Sequence, residues 1–414
     1  MTSIEDYSLV DPATMESPYD FYRVMHSQNA RVVEVPGVGF WVGRMDDIKK
    51  VASDTATFSN SYFGEEICPA GVSGEPLEDD VVEVFRSGPP VKKALWMTDP
   101  PTHTVHRALV NRAFTPRRVS AMEPDITSVA VEAVERFADR GSVEFMDEFA
   151  IVIPMTVISD ALGVDRKDLF TFKRWCDDIL AGNLDVLDHS RRLDVARSFV
   201  EYCRYFESIV ADRRESPADD MISAIATAEI DGNQLDLAEI LAATETLLLA
   251  GNETTKNLIG NGMLMLLEHP DAMAEIREDH SLIPNFLEEV LRFEAPVQCL
   301  YRLVTTDTEI AGTPIPAGSM VMLGWGSAGR DPEAFDAPDT FDIHRRNARD
   351  HVDFGHGPHF CIGAALARAE ARIAFETLFS RVGEIRLAEG ADTSHMPTFA
   401  TRGLERLELT FDVL

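Results

Sequence analysis

The chain runs to 414 residues, 45% of them hydrophobic, with 70 acidic against 38 basic side chains and a formal charge of −32. That surplus excludes nucleic acid and anionic membrane surfaces as partners, and the lack of any run of roughly 18 apolar residues excludes a membrane span. Five cysteines at irregular spacing (Cys68, Cys176, Cys203, Cys299 and Cys361) point to a reducing compartment, and the polar, acidic start Met1–Tyr7 makes a cytoplasmic protein the expectation.

No linker interrupts the chain, so one domain over residues 1–414 is expected, with residues 1–19 as a loosely held arm. Asp20 to Ser27 has the apolar spacing of a short amphipathic helix, and Arg31 to Gly43 alternates around Pro36-Gly37-Val38-Gly39 as a hairpin does. A helix is predicted from Met45 to Ser53. Ser59 to Pro90 is rich in glycine, proline and acids and reads as a long loop. After Asp99-Pro100-Pro101 a helix begins near Thr102, which puts His103 and Arg107 on one face. From Met122 to Arg214 the pattern is almost wholly helical, broken at Arg140-Gly141 and Leu162-Gly163, and between Leu169 and Phe206 aromatic and aliphatic residues alternate with charges.

The longest helix is predicted from Asp236, with Glu239 as its capping box, to His269-Pro270. Its middle, Ala250-Gly251-Asn252-Glu253-Thr254-Thr255, is poor helix interior, and Thr254 can turn its hydroxyl onto the preceding turn and open the helix there. A mid-helix glycine also serves close packing, and the residues leave both uses open. Another helix spans Pro284 to Phe293 and carries Glu289 and Arg292 three apart, a spacing most often seen in surface ion pairs. A strand-like run follows from Tyr301 to Ile310, Gly312 to Met322 reads as a hairpin, and Leu407 to Val413 as a strand.

Close to the C-terminus Phe354-Gly355-His356-Gly357-Pro358-His359-Phe360-Cys361-Ile362-Gly363 runs straight into a helical segment, Ala364 to about Ser380. Cys361 thus precedes a helix N-terminus, where free N–H groups and the helix dipole stabilise a thiolate. A thiolate held so is a good axial ligand for haem iron. A buried small hydrophobe, or a nucleophile paired with His359, would use the same residue, although two positions apart on an extended loop point to opposite sides.

The cysteine loop, the Ala250–Thr255 string, Glu289 with Arg292, His103 with Arg107 and then Arg302 stand in an order that resembles the cytochrome P450 superfamily of haem-thiolate monooxygenases, from about Asp20 to the end. The resemblance implies a mainly α fold with small β-sheets, a long helix crossing over the haem and a cysteine loop beneath it. Cys361 becomes the iron ligand of haem b. His103, Arg107, Arg302 and His359 reach its propionates, while Phe354 and Gly363 belong to the loop against it. Ala250 and Gly251 make room for dioxygen, Thr254 hydrogen-bonds it, and Glu253 relays protons. Glu289 and Arg292 brace the cysteine loop. Thr246, Leu249, Val297, Leu300 and Phe399 line the substrate pocket. Two departures stand out: relatives more often carry Asp at position 253, and usually Asn where Gly329 stands.

The implied reaction inserts one oxygen atom from dioxygen into a C–H bond of a terpenoid, steroid, fatty acid or aromatic substrate, with electrons from NAD(P)H through ferredoxin reductase and ferredoxin. A monomer is expected. Arg107, Arg112, Arg117 and Arg118 on one side, and Arg345, Arg346, Arg349, Arg368 and Arg372 around the cysteine, offer a basic face for an acidic ferredoxin. A peroxide-driven haem-thiolate enzyme, a haem sensor and a haem-free cysteine hydrolase are the rival readings.

Overall fold

The computed structural model describes residues 4–9, 11–61, 77–90, 92–111, 114–180, 187–230 and 233–414. The chain forms two compact units, one from Met1–Ser59, Val119–Pro154 and Glu253–Leu414, the other from Asn60–Arg118 and Met155–Asn252.

In the first unit the predicted hairpin forms, Val32–Val35 pairing antiparallel with Gly39–Val42. It is extended by Met320–Leu323, Leu300–Val304 and Phe58–Ser59 into a five-stranded sheet. Gly39 is obligatory, because its φ is +146° and a Cβ there would lie 2.2 Å from the Met320 carbonyl oxygen. Val42, Ile48, Val304, Val321 and Trp325 close the core on one side of this sheet, and Phe21, Tyr22, Met25, Trp41 and Met322 form a second cluster. The predicted hairpin over Gly312 to Met322 does not form as such. Thr313–Ile315 pairs back onto Thr308–Ile310, while Met320–Leu323 joins Leu300–Val304. A smaller sheet joins Val382–Leu387, Glu408–Val413 and Ser142–Glu144. The last of these lies just after Gly141 (φ +70°), inside a stretch read as helix from its periodicity.

Two helices of this unit and its part of the longest helix pack around phenylalanines. Phe286 on Ile283–Phe293 meets Phe375 on Ala364–Phe379 edge to face, their centroids 5.3 Å apart. Phe375 in turn lies against Gly262 of the longest helix. Along the stretch expected to be a loose arm, Pro12–Glu16 is helical, Leu9 is buried, and Glu16 holds His395 Nδ1 at 2.8 Å.

In the second unit, Leu169–Leu180 and His189–Glu215 pack through Phe172, Trp175, Tyr202, Tyr205 and Phe206, so most aromatics of that stretch are core. Asp79–Arg86 is a helix with Val81 and Phe85 buried, where a loop was expected over Ser59 to Pro90. Residues 62–76 of that stretch lie outside the described residues. The longest helix, Leu237–Glu268, starts at the predicted capping box: Asp236 N donates to Glu239 and Glu239 N to Asp236, each at 2.9 Å. Among the described residues no helix is long and apolar enough to cross a membrane.

Candidate functional site

The cysteine loop is a series of tight turns. Gly355 N donates to the Val352 carbonyl at 2.8 Å, Phe360 N to that of Gly357 at 3.1 Å, and Cys361 N to that of Phe354 at 2.7 Å. Gly355 and Gly357 have φ of +76° and +70°, and a Cβ at Gly357 would lie 2.9 Å from the Ala52 carbonyl oxygen. The helix Ala364–Phe379 then begins, with Gly363 as its N-cap and Cys361 two residues before that cap. Cys361 is half-buried, whereas Cys203 and Cys299 are fully buried and burial pushes their thiols well up, out of the reactive range. Arg368 stacks over the Phe354 ring at 4.3 Å. His359 and Gly363 are half-buried in the same loop, and Phe360 is 45% exposed.

The Glu289–Arg292 pair is not on the surface. Both side chains are 0% exposed, with Nε and Nη2 of Arg292 bidentate on the carboxylate at 2.7 and 2.8 Å. Arg292 also donates to the carbonyls of Gly329, Pro338 and Thr340, and Arg345 Nε reaches Glu289 at 3.1 Å. The chain from Gly329 to Arg345, which leads into the cysteine loop, is therefore gathered on two guanidinium groups. Gly329 explains its own departure: a Cβ there would sit 2.0 Å from the Arg292 carbonyl oxygen. An asparagine has no room.

The same contacts correct the expected basic face. Arg345 is buried on Glu289, Arg368 is bound to Glu288 at 2.6 and 2.9 Å, and Arg372 is paired with Glu376 and Glu123. Arg346 and Arg349 reach solvent, as do Arg117 and Arg118 in the other stretch, while Arg112 lies outside the described residues.

Glu288 supplies a pH test. Burial pushes its carboxyl up, but hydrogen bonds from His351 and Arg368 outweigh burial and bring it down to about 2. A carboxyl lowered by folding stabilises above its unfolded value near 4.5 and loses that contribution as pH falls from there through about 2. Glu288→Gln is expected to lose on the order of 3 kcal/mol at pH 7. In melts taken from pH 7 to pH 3, its deficit against the wild type narrows below pH 4.5.

Arg302 is buried, and its Nη1 donates to the Tyr301 carbonyl at 2.7 Å. Two residues earlier in this strand Leu300 is 43% exposed. Phe399 packs edge-on against Tyr301 with centroids 6.5 Å apart, and Val297 pairs with Thr401. The Val297 backbone also hydrogen-bonds Asp353, whose carboxyl burial nevertheless holds far above its usual range. Val297, Leu300, Arg302 and Phe399 are thus joined through one strand and the loop paired with it.

In the second unit His103 is buried and Arg107 half-buried on the helix Thr102–Asn111. Burial first, then the Arg107 charge, pushes the His103 imidazole down to about 4, so it is neutral at pH 7. Thr246 and Leu249 are buried, and the Thr246 hydroxyl is engaged by backbone, donating to Ala242 and accepting from Leu95 N. Ala250 is exposed in mid-helix. Gly251 is not there for close packing: a Cβ would meet nothing nearer than Ile158 at 3.9 Å. Gly251→Ala should therefore raise stability by up to about 1 kcal/mol through helix propensity alone, read as a higher Tm.

The helix runs unbroken through Gly251–Thr255, so the local opening expected at Thr254 does not interrupt it. On its first-unit half Thr254 is half-buried and Glu253 Oε1 lies 2.7 Å from Lys256 Nζ, both side chains largely buried. Thr255 is buried and hydrogen-bonded to Glu370, a buried carboxyl that burial pushes up to about 8. Sequence reasoning missed Lys256 and Glu370. The first was legible as a base three residues after an acid; the second, one acid on an alanine-rich helix, carried no local signal.

The family model described as Cytochrome P450 matches residues 73–383. The vitamin D(3) 25-hydroxylase of Pseudonocardia autotrophica is 40% identical, the match covering 99% of this chain and 97% of that one. Cytochrome P450 CREJ in complex with (4-ethylphenyl) dihydrogen phosphate superposes with a TM-score of 0.89 at 32% identity, over 99% of this chain and 100% of that one. CYP109E1 from Bacillus megaterium in complex with testosterone does so with a TM-score of 0.81 at 32% identity, over 95% and 99%.

Proposed function

Because the chain belongs to the cytochrome P450 family of haem-thiolate monooxygenases, we propose that it hydroxylates a steroid-sized apolar substrate at a haem held by Cys361. The family's balance is one substrate C–H, one dioxygen, two electrons and two protons in, and one C–OH and one water out. The observation that carries the reading is the setting of Cys361, a half-exposed sulfur ahead of a helix N-terminus on a loop of enforced turns.

The residues present fit the group. Thiolate sulfur is a soft donor suited to haem iron, and Phe360 and Leu300 present apolar surface for a flat macrocycle. Arg302, Arg107, His103 and His359 are assigned to its propionates, for which the guanidinium fork is well shaped. Bound there, haem supplies dioxygen activation, favoured by the electron donation of a thiolate. The chain's own residues do the rest. Ala250 and Gly251 keep the helix face low, Thr254 presents a hydroxyl to the oxygen, and Glu253 hands protons on when it parts from Lys256. Thr246, Leu249, Val297, Leu300 and Phe399 are assigned to the substrate, the Thr246 hydroxyl being already engaged by backbone.

Vitamin D(3) is what the 40% identical relative is named for, and testosterone occupies the CYP109E1 structure. Those names make steroids and secosteroids first candidates, beside aromatics such as the (4-ethylphenyl) dihydrogen phosphate of the CREJ complex. Electrons are assigned to NAD(P)H through ferredoxin reductase and ferredoxin, the last docking at Arg346 and Arg349, where the basic side chains reach solvent.

The purified protein should be red, its reduced carbonyl complex should show the thiolate-type Soret shift, and a steroid ligand should drive the low-to-high spin change. A colourless protein, or a nitrogen-type carbonyl spectrum, defeats the reading. Turnover with hydrogen peroxide alone, equal to that with redox partners, would instead favour a peroxygenase.

A further inference from the structure

Beyond Glu253 the longest helix carries two buried amides, Asn257 and Asn261, with polar atoms that have no partner among the described residues. Residues 253, 257 and 261 are four apart and share one helix face. Asn257 is wholly buried, and neither its Oδ1 nor its Nδ2 has a hydrogen-bond partner among the described residues. Asn261 is buried too. Its Nδ2 donates to the carbonyls of Glu294 and Arg402 at 3.0 Å each, while its Oδ1 has no partner among the described residues. Opposite Asn257 stands Gly403, where a Cβ would lie 2.0 Å from Oδ1 and 2.6 Å from Nδ2. The glycine makes room for the amide, and the amide then meets no hydrogen-bond partner among the described residues.

A buried polar group left unmet destabilises the fold. Three such atoms in a row are a heavy burden unless internal water meets them, as it commonly does in folded proteins. Beyond Asn261 the line leads to buried Glu294 and Arg402 and to Glu268. Glu294 accepts from Tyr19 at 2.5 Å and Arg402 at 2.6 Å, and Glu268, seven residues after Asn261, is exposed. Partial covering of its carboxyl, and then the Glu294 charge, raise the Glu268 carboxyl. The run from Glu253 to Glu268 is about 22 Å at ~1.5 Å per residue.

We propose that Asn257 and Asn261 hold a file of internal water through which protons pass from solvent at Glu268 to Glu253. This rests on the reading of Glu253 as the proton donor. Each transfer is a hop along the file, one O–H bond forming as the next breaks, so that Glu253 regains at one oxygen the proton it has given up. No other reactant is consumed, and two passages serve one turnover. Asn257 and Asn261 act as positioning residues, since they orient the water and do not touch substrate.

The test uses the holoenzyme with its redox partners. Asn257→Leu and Asn261→Leu keep the bulk and remove the amide. Product formed per NADH is expected to fall roughly tenfold to hundredfold, the scale of one lost proton-transfer device. The solvent isotope effect on product formation should rise, while the substrate-induced spin change and the carbonyl spectrum stay as in the wild type. Asn257→Ser, a hydroxyl with space for one more water, should recover coupling. Independently of turnover, a crystal structure of the wild type should show ordered water on both amide atoms of Asn257, absent from Asn257→Leu. Unchanged coupling and isotope effect in Asn257→Leu, a dry Asn257 in the crystal, or the whole loss appearing in Glu370→Gln instead would overturn the proposal. A wild type lacking the thiolate-type spectrum would bring down the parent reading and this one together; a normal spectrum with normal coupling in the leucine variants brings down this one alone.

Discussion

Cys361→His yields a folded protein without monooxygenase activity. Its reduced carbonyl complex is expected to absorb at the nitrogen-ligated position, and substrate-dependent NADH consumption should drop to background. The argument separates chemistry from stability. Cys361 is half-buried, and the loop that carries it is shaped by backbone bonds at Val352, Phe354 and Gly357 and by the positive φ of Gly355 and Gly357, none of which uses the sulfur. Its replacement should therefore change stability by no more than about 0.5 kcal/mol, the usual range for a substitution outside the core. On the proposed reading, what it removes is the sulfur that would hold haem iron, and with it the electron donation that a thiolate supplies. Retention of the thiolate-type Soret shift in Cys361→His would show that another sulfur holds the iron. Cys203 and Cys299, fully buried with thiols raised by burial, are poor candidates.

How much of this was legible beforehand depends on the range of the signal. Helix limits set by local chemistry were readable: Met45–Ser53 has the predicted bounds, and the Asp236–Glu239 capping box is present atom for atom. Pairings decided by distant chain were not. Gly312 to Met322 has the alternation and turn residues of a hairpin, yet Met320–Leu323 finds its partner at Leu300–Val304. Ser142–Glu144 is too short to show a period of two and exists as a strand because Glu408–Val413 lies beside it. The motif residues were readable as types and spacings, but their surroundings were not. By spacing alone Glu289 and Arg292 look like any exposed pair, and only the family resemblance marked them as a buried brace, which they are; Arg345 looks like a docking charge and is structural. Asn257 had no signal at all, since its interest lies in what Gly403 leaves open beside it.

The burial of that pair sets a large expected stability effect. Arg292→Ala leaves the buried Glu289 carboxylate with Arg345 Nε and Asp342 N in place of its bidentate partner, and takes the donor from the carbonyls of Gly329 and Pro338, while Thr340 keeps Arg345. Breaking a buried pair by removing one partner costs about 3–5 kcal/mol, a large part of the stability of an ordinary domain. Arg292→Lys should rescue little, because an ammonium cannot span the two carboxylate oxygens and three carbonyls that the planar fork reaches. The exposed Arg23–Asp20 pair makes the control: Arg23→Ala should shift stability by about 0.5 kcal/mol or less. The consequence for the site follows from the chain path. Gly329 to Arg345 hangs on Arg292 and Arg345, and the cysteine loop begins nine residues later at Phe354. Loss of the fork should therefore lower both the Tm and the fraction of protein giving the thiolate-type carbonyl spectrum, with Glu289 and Arg292 replaced together by Gln and Met recovering part of the Tm. A variant that lost several kcal/mol while every molecule kept the thiolate spectrum would show that the brace stabilises the fold without holding the cysteine loop.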